Sequence, residues 1–163
     1  MNKIFLFDCD QTIWTSGNHD YISSVVSSLV LVAPHIIRRV RDGNIFILKS
    51  NISELFTLMQ KNRNTIGIVS DNRKNMVIDA LKIFNIYKFF DQKAINIKFW
   101  KGYCKKQEMV TEILKKSEFK MINPDDVYWF DDKNYERESG SIGINFIRVS
   151  ENTNLLKVFK NLL

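Results

Sequence analysis

The residues of this sequence that could do chemistry are two pairs of carboxylates, a serine and a lysine. Asp8 and Asp10, spaced i and i+2, stand at the exit of the apolar run Ile4 to Phe7, and Asp131 with Asp132 closes a second run, Val127 to Phe130. Carboxylates crowded at the end of a buried strand repel one another and lose hydration, which calls for a cation, a proton or a phosphoryl group between them. Ser70 ends a third run, Thr65 to Val69, and is followed by Asp71 and Asn72. Lys106 opens a helix-period pattern with Met109, Val110, Ile113 and Leu114, so it heads the buried face and can reach along it toward a pocket. Lys105 projects roughly a quarter-turn away.

Oxygen donors from several strand ends, without His or Cys, suit a hard cation such as Mg2+ that keeps part of its water shell. The hydroxyl of Ser70 and the ammonium of Lys106 are then left for an anion. Each group has a plainer reading on its own: Asp8 as a turn cap, Ser70 beside a helix cap, Lys106 as a solvated helix lysine, Asp131 and Asp132 as caps of the next helix. Their shared placement behind apolar strands favours a site.

Bringing them to one edge requires parallel strands. The continuous apolar stretch in KIFLFD suits a central strand covered on both faces. Alternation then sends Asp8 and Asp10 to one side and Cys9 to the other, as a packed thiol, and Thr12 has the hydroxyl to bond the turn backbone. From Ile13 to about Ser50 no crossover helix is legible. Trp14, Gly17, Asn18 and His19 read as a loop in which Trp14 lines the entrance or packs the loop down. Ser23 to Val32 reads as strand or irregular structure, and IIRRVRDGNIFIL as a hairpin turning at Asp42-Gly43.

Asn51 with Glu54 has capping-box spacing before a helix to about Asn62. Ser70-Asp71-Asn72 makes a strand-to-helix corner, NIYKFFD a packed loop, Lys93 to Ile97 a short strand and FWKGYC a loop before the Lys106 helix. NPDD is a turn, INFIRV at 144 to 149 a last strand, and Leu155, Leu156, Phe159 and Leu162 mark a closing helix. Strands alternating with helices predict a mostly parallel α/β sheet with ligands beyond the carboxyl ends of its strands.

With 163 residues, of which 45% are hydrophobic, the chain is sized for one domain, here with a flap inserted around 13–50. The formal charge of +6 favours anionic partners, among them phosphorylated small molecules, phosphoproteins and nucleic acid. Its lysines are dispersed, which reads more plainly as a solvated basic surface than as a nucleic-acid face. Cys9 and Cys104 have no ligand spacing, so reduced thiols and no zinc site are expected. No signal-peptide pattern or membrane-length apolar run is present, and the expectation is a cytoplasmic protein without a membrane partner.

FDCDQT resembles the DxDxT signature of the haloacid dehalogenase (HAD) superfamily, IVSDN its second motif, Lys106 its third-motif lysine and VYWFDD its fourth motif. The likeness runs over roughly residues 3 to 149. It implies a Rossmann-like three-layer sandwich with a small β-hairpin insertion and no large cap domain. DQTIW, the Asp42-Gly43 hairpin and FDDKN look most like the magnesium-dependent phosphatase 1 group. That group commonly carries Ser-Arg where this chain has Ser70-Asp71, so a substrate-contacting arginine is either missing here or supplied by Arg73.

The resemblance implies a Mg2+-dependent phosphomonoester hydrolase. Asp8 would be the nucleophile that becomes an aspartyl-phosphate, and Asp10 the general acid and then base, its carbonyl also on the metal. Ser70 and Lys106, with the Asp71 and Asn72 corner, would hold the phosphoryl group, while Asp132 ligates Mg2+ directly and Asp131 supports it. A phosphatase acting on nucleic-acid 3′ ends and a non-catalytic phosphate-binding module are the competing readings.

Overall fold

The computed structural model describes residues 2–99 and 105–162. The first half of the chain contains β1 (Ile4–Phe7), β2 (Trp14–Ser16), β3 (Leu29–Ala33), β4 (Ile36–Arg39), β5 (Ile45–Leu48), α1 (Ile52–Lys61), β6 (Thr65–Ser70) and α2 (Lys74–Ile83). The second contains β7 (Ile95–Ile97), α3 (Lys106–Leu114), β8 (Val127–Asp131), α4 (Glu136–Ser141), β9 (Asn145–Arg148) and α5 (Leu155–Lys160). Short 3-10 turns at Tyr87–Phe89, Gln92–Ala94 and Pro124–Asp126 fill the connections. Trp100 to Cys104 of the expected FWKGYC loop, with the Cys104 thiol, lie outside the described residues.

The central sheet has the order β7-β6-β1-β8-β9, and every neighbouring pair is parallel. Alternation along β1 explains why its apolar run is unbroken. Phe5 and Phe7 enter a core with α1, α2 and α5 through Phe56, Val77 and Phe159. Ile4 and Leu6 enter the opposite core with Met109, Val110 and Ile113 of α3. Helices therefore cover both faces, which is the expected three-layer α/β sandwich, with no large cap domain among the described residues.

The segment between β1 and α1 builds more than a hairpin. β4 and β5 do pair across the Asp42-Gly43 turn, but they sit inside a four-stranded antiparallel flap sheet of order β2-β5-β4-β3. Trp14 is a strand residue opposite Leu48, not part of a loop. Gly43, at φ +76, supplies the left-handed turn geometry that a side chain resists.

Candidate active site

Register places the acids. Phe7 pairs with Phe130, so the next residues, Asp8 and Asp131, emerge side by side at the carboxyl edge. Both have the parity of residues packed on the α3 face, Leu6 and Trp129, and α3 delivers Lys106 from that side. The Lys106 ammonium lies 2.8 Å from Asp131 Oδ2, 3.0 Å from Asp8 Oδ2 and 3.8 Å from Asp71 Oδ1. Lys105 instead points outward, 3.6 Å from Glu108. This edge is a switch point of the sheet: from β1 the chain builds toward β6 on one side and later toward β8 on the other.

Asp10 belongs to the turn after β1, where Gln11 takes φ 59 and the amides of Thr12, Ile13 and Trp14 all donate to the Cys9 carbonyl. Trp14 Nε1 donates to Asp10 Oδ1 at 2.7 Å and the Ile22 amide to the same oxygen at 3.1 Å. Asn72 Nδ2 donates to Asp10 Oδ2 at 2.6 Å and to Ser70 Oγ at 2.9 Å, while Ser23 Oγ donates to Asn72 Oδ1 at 2.5 Å. Asp10, Ser70 and Asn72 thus form one buried network joining β1, β6 and the flap.

One lysine cannot neutralise this much buried acid. Burial and then the Asp8 charge push Asp131 up to about 8, although Lys106 pulls the other way. The same two causes push Asp10 up to about 7. Asp8 is raised by burial against the pull of Lys106. Burial would lower Lys106, but Asp8, Asp131 and Asp71 outweigh it and hold the ammonium charged. The Cys9 thiol, buried beside Asp8 and Asp10, is pushed up and stays protonated.

Asp8, Asp131 and Asp132 offer carboxylate oxygens within 4.8 Å of one another. Among the described residues Asp8 Oδ1 is buried without a hydrogen-bond partner. An orphaned carboxylate oxygen in a cluster of hard donors fits Mg2+. Asp71, whose carboxylate would repel a phosphate, is flanked by Lys106 and by Lys133 at 3.6 Å. A cleft of about 240 Å³ adjoins the network, lined by Tyr21, Ser23, Asp71, Asn72, Phe99 and Lys133.

No protein-family model matches the sequence, and no curated protein matches it significantly. Solved structures do. The chain is similar to a HAD-superfamily hydrolase from Ehrlichia chaffeensis at 15% identity and a TM-score of 0.64, over 99% of this chain and 97% of that one. It is similar to the HAD domain of effector protein Lem4 from Legionella pneumophila at 18% identity and 0.64, over 99% and 94%. A HAD-superfamily hydrolase, subfamily IA, variant 1, from Geobacter sulfurreducens aligns over 100% of both chains at 14% identity and 0.63. The fold is that of the HAD-superfamily hydrolases.

On this HAD fold the structure brings Asp8, Asp10, Ser70, Asp71, Asn72, Lys106, Asp131 and Asp132 to one edge. Several local expectations change. Trp14 lines no entrance; it is fully buried and holds Asp10. The Thr12 hydroxyl does not bond the turn, because the Cys9 carbonyl already takes the turn amides, and Thr12 Oγ1 has no partner among the described residues. Asn51 sits at φ 64 with no side-chain cap bond, so the capping box does not form. Asn72, from the corner before α2, directs its amide to Asp10 and Ser70. Arg73 donates to the Ser23 carbonyl and lies 4.2 Å over the Phe99 ring.

Sequence reasoning missed Ile22, Ser23 and Arg39. The first two touch the site through a backbone amide and a hydroxyl in an irregular segment, which leave no pattern. Arg39 had a signal: in IIRR, strand alternation puts it on the inward face with Ile37.

Proposed function

We propose that the protein is a Mg2+-dependent phosphomonoester hydrolase working through an aspartyl-phosphate on Asp8. The observation that carries this reading is the juxtaposition, at one sheet edge, of Asp8 with an orphaned buried oxygen and Asp10 held near neutrality at about 7. A carboxyl of that kind can give a proton and take one back at physiological pH. Mg2+ held by Asp8, Asp131, Asp132 and the Asp10 carbonyl would supply the positive charge that lets a carboxylate meet a phosphate dianion.

Asp8 attacks phosphorus, the bond from phosphorus to the leaving oxygen breaks, and Asp10 gives that oxygen its proton. Asp10 then accepts a proton from the water that attacks the aspartyl-phosphate, returning Asp8 and releasing phosphate. Ser70 and Lys106 hold the phosphoryl oxygens while charge moves. The cleft beside Tyr21, Phe99 and Lys133 takes the leaving group, either a phosphorylated small molecule or a phosphorylated protein side chain. The flap sheet, DQTIW and FDDKN support kinship with the magnesium-dependent phosphatase 1 group.

The test is hydrolysis of a panel of phosphomonoesters with Mg2+, with chelator, and with Asp8→Asn. Turnover that requires both Mg2+ and Asp8 is the expected result; activity that survives Asp8→Asn sinks the proposal.

A further inference from the structure

Arg39 is 1% exposed although it belongs to the flap. Its guanidinium grips two segments at once. On the hairpin side, Nε donates to both Asp42 oxygens at 3.0 Å and Nη2 to Asp42 Oδ2 at 2.7 Å. On the other side, Nη1 donates to the Tyr21 carbonyl at 2.9 Å, the Ile22 carbonyl at 3.2 Å and Ser24 Oγ at 2.9 Å, and Nη2 donates to Asp20. Every donor of the fork is engaged. Asn44 Nδ2 reaches the same Asp20 oxygen at 2.6 Å and ties the turn to it a second time.

Residues 20–24 form neither helix nor strand; one turn bond, from the Ser24 amide to the Tyr21 carbonyl at 3.0 Å, acts on their path together with Arg39. The contact with Tyr21 matters most. The Tyr21 carbonyl and the Ile22 amide belong to one planar trans peptide unit, so holding the oxygen on one side turns the N–H to the other. That N–H is the donor to Asp10 Oδ1, and the next residue, Ser23, holds Asn72 against Asp10 Oδ2. Both oxygens of Asp10 are thus braced from a segment that Arg39 shapes.

We propose that Arg39 is a positioning residue for Asp10: its fork fixes the 21–22 peptide unit and Ser23 so that the carboxyl is held for transfer to the leaving oxygen. The proposal rests on the reading of Asp10 as the proton donor. An arginine serving only flap stability would leave Asp10 indifferent to its loss. Lys cannot reproduce the fork, so Arg39→Lys should behave like Arg39→Met.

Two readouts test it. The first is amide exchange at Ile22 in the folded protein, expected to quicken roughly tenfold or more in Arg39→Met while Leu6 in the central strand is unchanged. The second compares leaving groups. An alkyl phosphate needs its oxygen protonated and a dinitrophenyl phosphate hardly does, so kcat should fall roughly tenfold or more on the first and less than about threefold on the second, at unchanged KM. Should Arg39→Met fail to fold, Asp42→Asn loosens the fork from the surface and should shift both readouts in the same direction by less. Unchanged Ile22 exchange, or equal losses on both substrates, overturns the proposal. A wild-type protein that hydrolyses neither ester overturns the phosphatase reading instead, and Ile22 exchange alone then decides whether Arg39 braces Asp10.

Discussion

Lys106 answers Asp8 and Asp131 with a single charge, and that imbalance governs how the site behaves when residues are changed. Removing the ammonium leaves the buried Asp8 carboxylate without its counter-charge beside a protonated Asp131, so Lys106→Met should destabilise the metal-free fold by about 3–5 kcal/mol, with added Mg2+ recovering part of the loss in urea denaturation. Asp10 makes a signed pH prediction. Burial and Asp8 raise it from 3.8 to about 7, so between those values the folded protein keeps a proton that the unfolded chain has released. Its contribution is therefore present at low pH and lost as pH rises through about 7. At about 1.4 kcal/mol per unit the loss is on the order of 4 kcal/mol. The stability difference between wild type and Asp10→Asn, measured without metal from pH 4.5 to 8, should fall across that window; a flat difference would refute the raised value. Asparagine suits the position because Asn72 can turn its amide over, as the Ser23 and Ser70 hydroxyls each donate or accept.

Elements differ in how plainly the sequence announced them, and the reason is physical. β1, β6 and β8 declare themselves because burial on two faces demands unbroken apolar runs, and α3 because its buried face repeats at helical spacing; the same parity that fills both cores sends Asp8 and Asp131 toward Lys106. The flap sheet was legible in its hairpin around Asp42-Gly43, which holds β4 and β5, and only as strand or irregular structure where β3 lies. β2 pairs with β5 across some thirty intervening residues, and a three-residue strand carries no period of its own. Trp14 and Asn51 were misread for a related reason: tryptophan and asparagine have several common uses, and only tertiary partners select one. Gly67 in β6 shows the converse, a demand of packing invisible in the pattern. A Cβ there would stand 2.5 Å from the Ala94 carbonyl and 2.7 Å from Leu6 Cδ2, so β6 cannot accept one without moving. Gly67→Ala should cost about 1–3 kcal/mol in chemical denaturation and lower activity, because Ser70 rides on the same strand.

At the scale of the whole molecule, the central sheet supplies the acids and lysine, the flap supplies the braces on Asp10, and a divalent cation would tie folding to both. Mg2+, if held as proposed by Asp8, Asp131 and Asp132, would have to displace the proton that Asp131 keeps up to about pH 8. Binding should therefore release protons and weaken as pH falls, approaching tenfold per unit when one proton must leave. At a metal concentration near a hundred times Kd the gain is about 2.7 kcal/mol, which for a chain of this size is a rise in Tm of roughly 5–10 °C. The rise should be larger at pH 8 than at pH 6, and Asp131→Asn should remove most of it. Calorimetric titration in two buffers of different ionisation enthalpy counts the protons directly. A Tm shift equal at both pH values, with no proton released, would mean that Asp131 does not meet the metal.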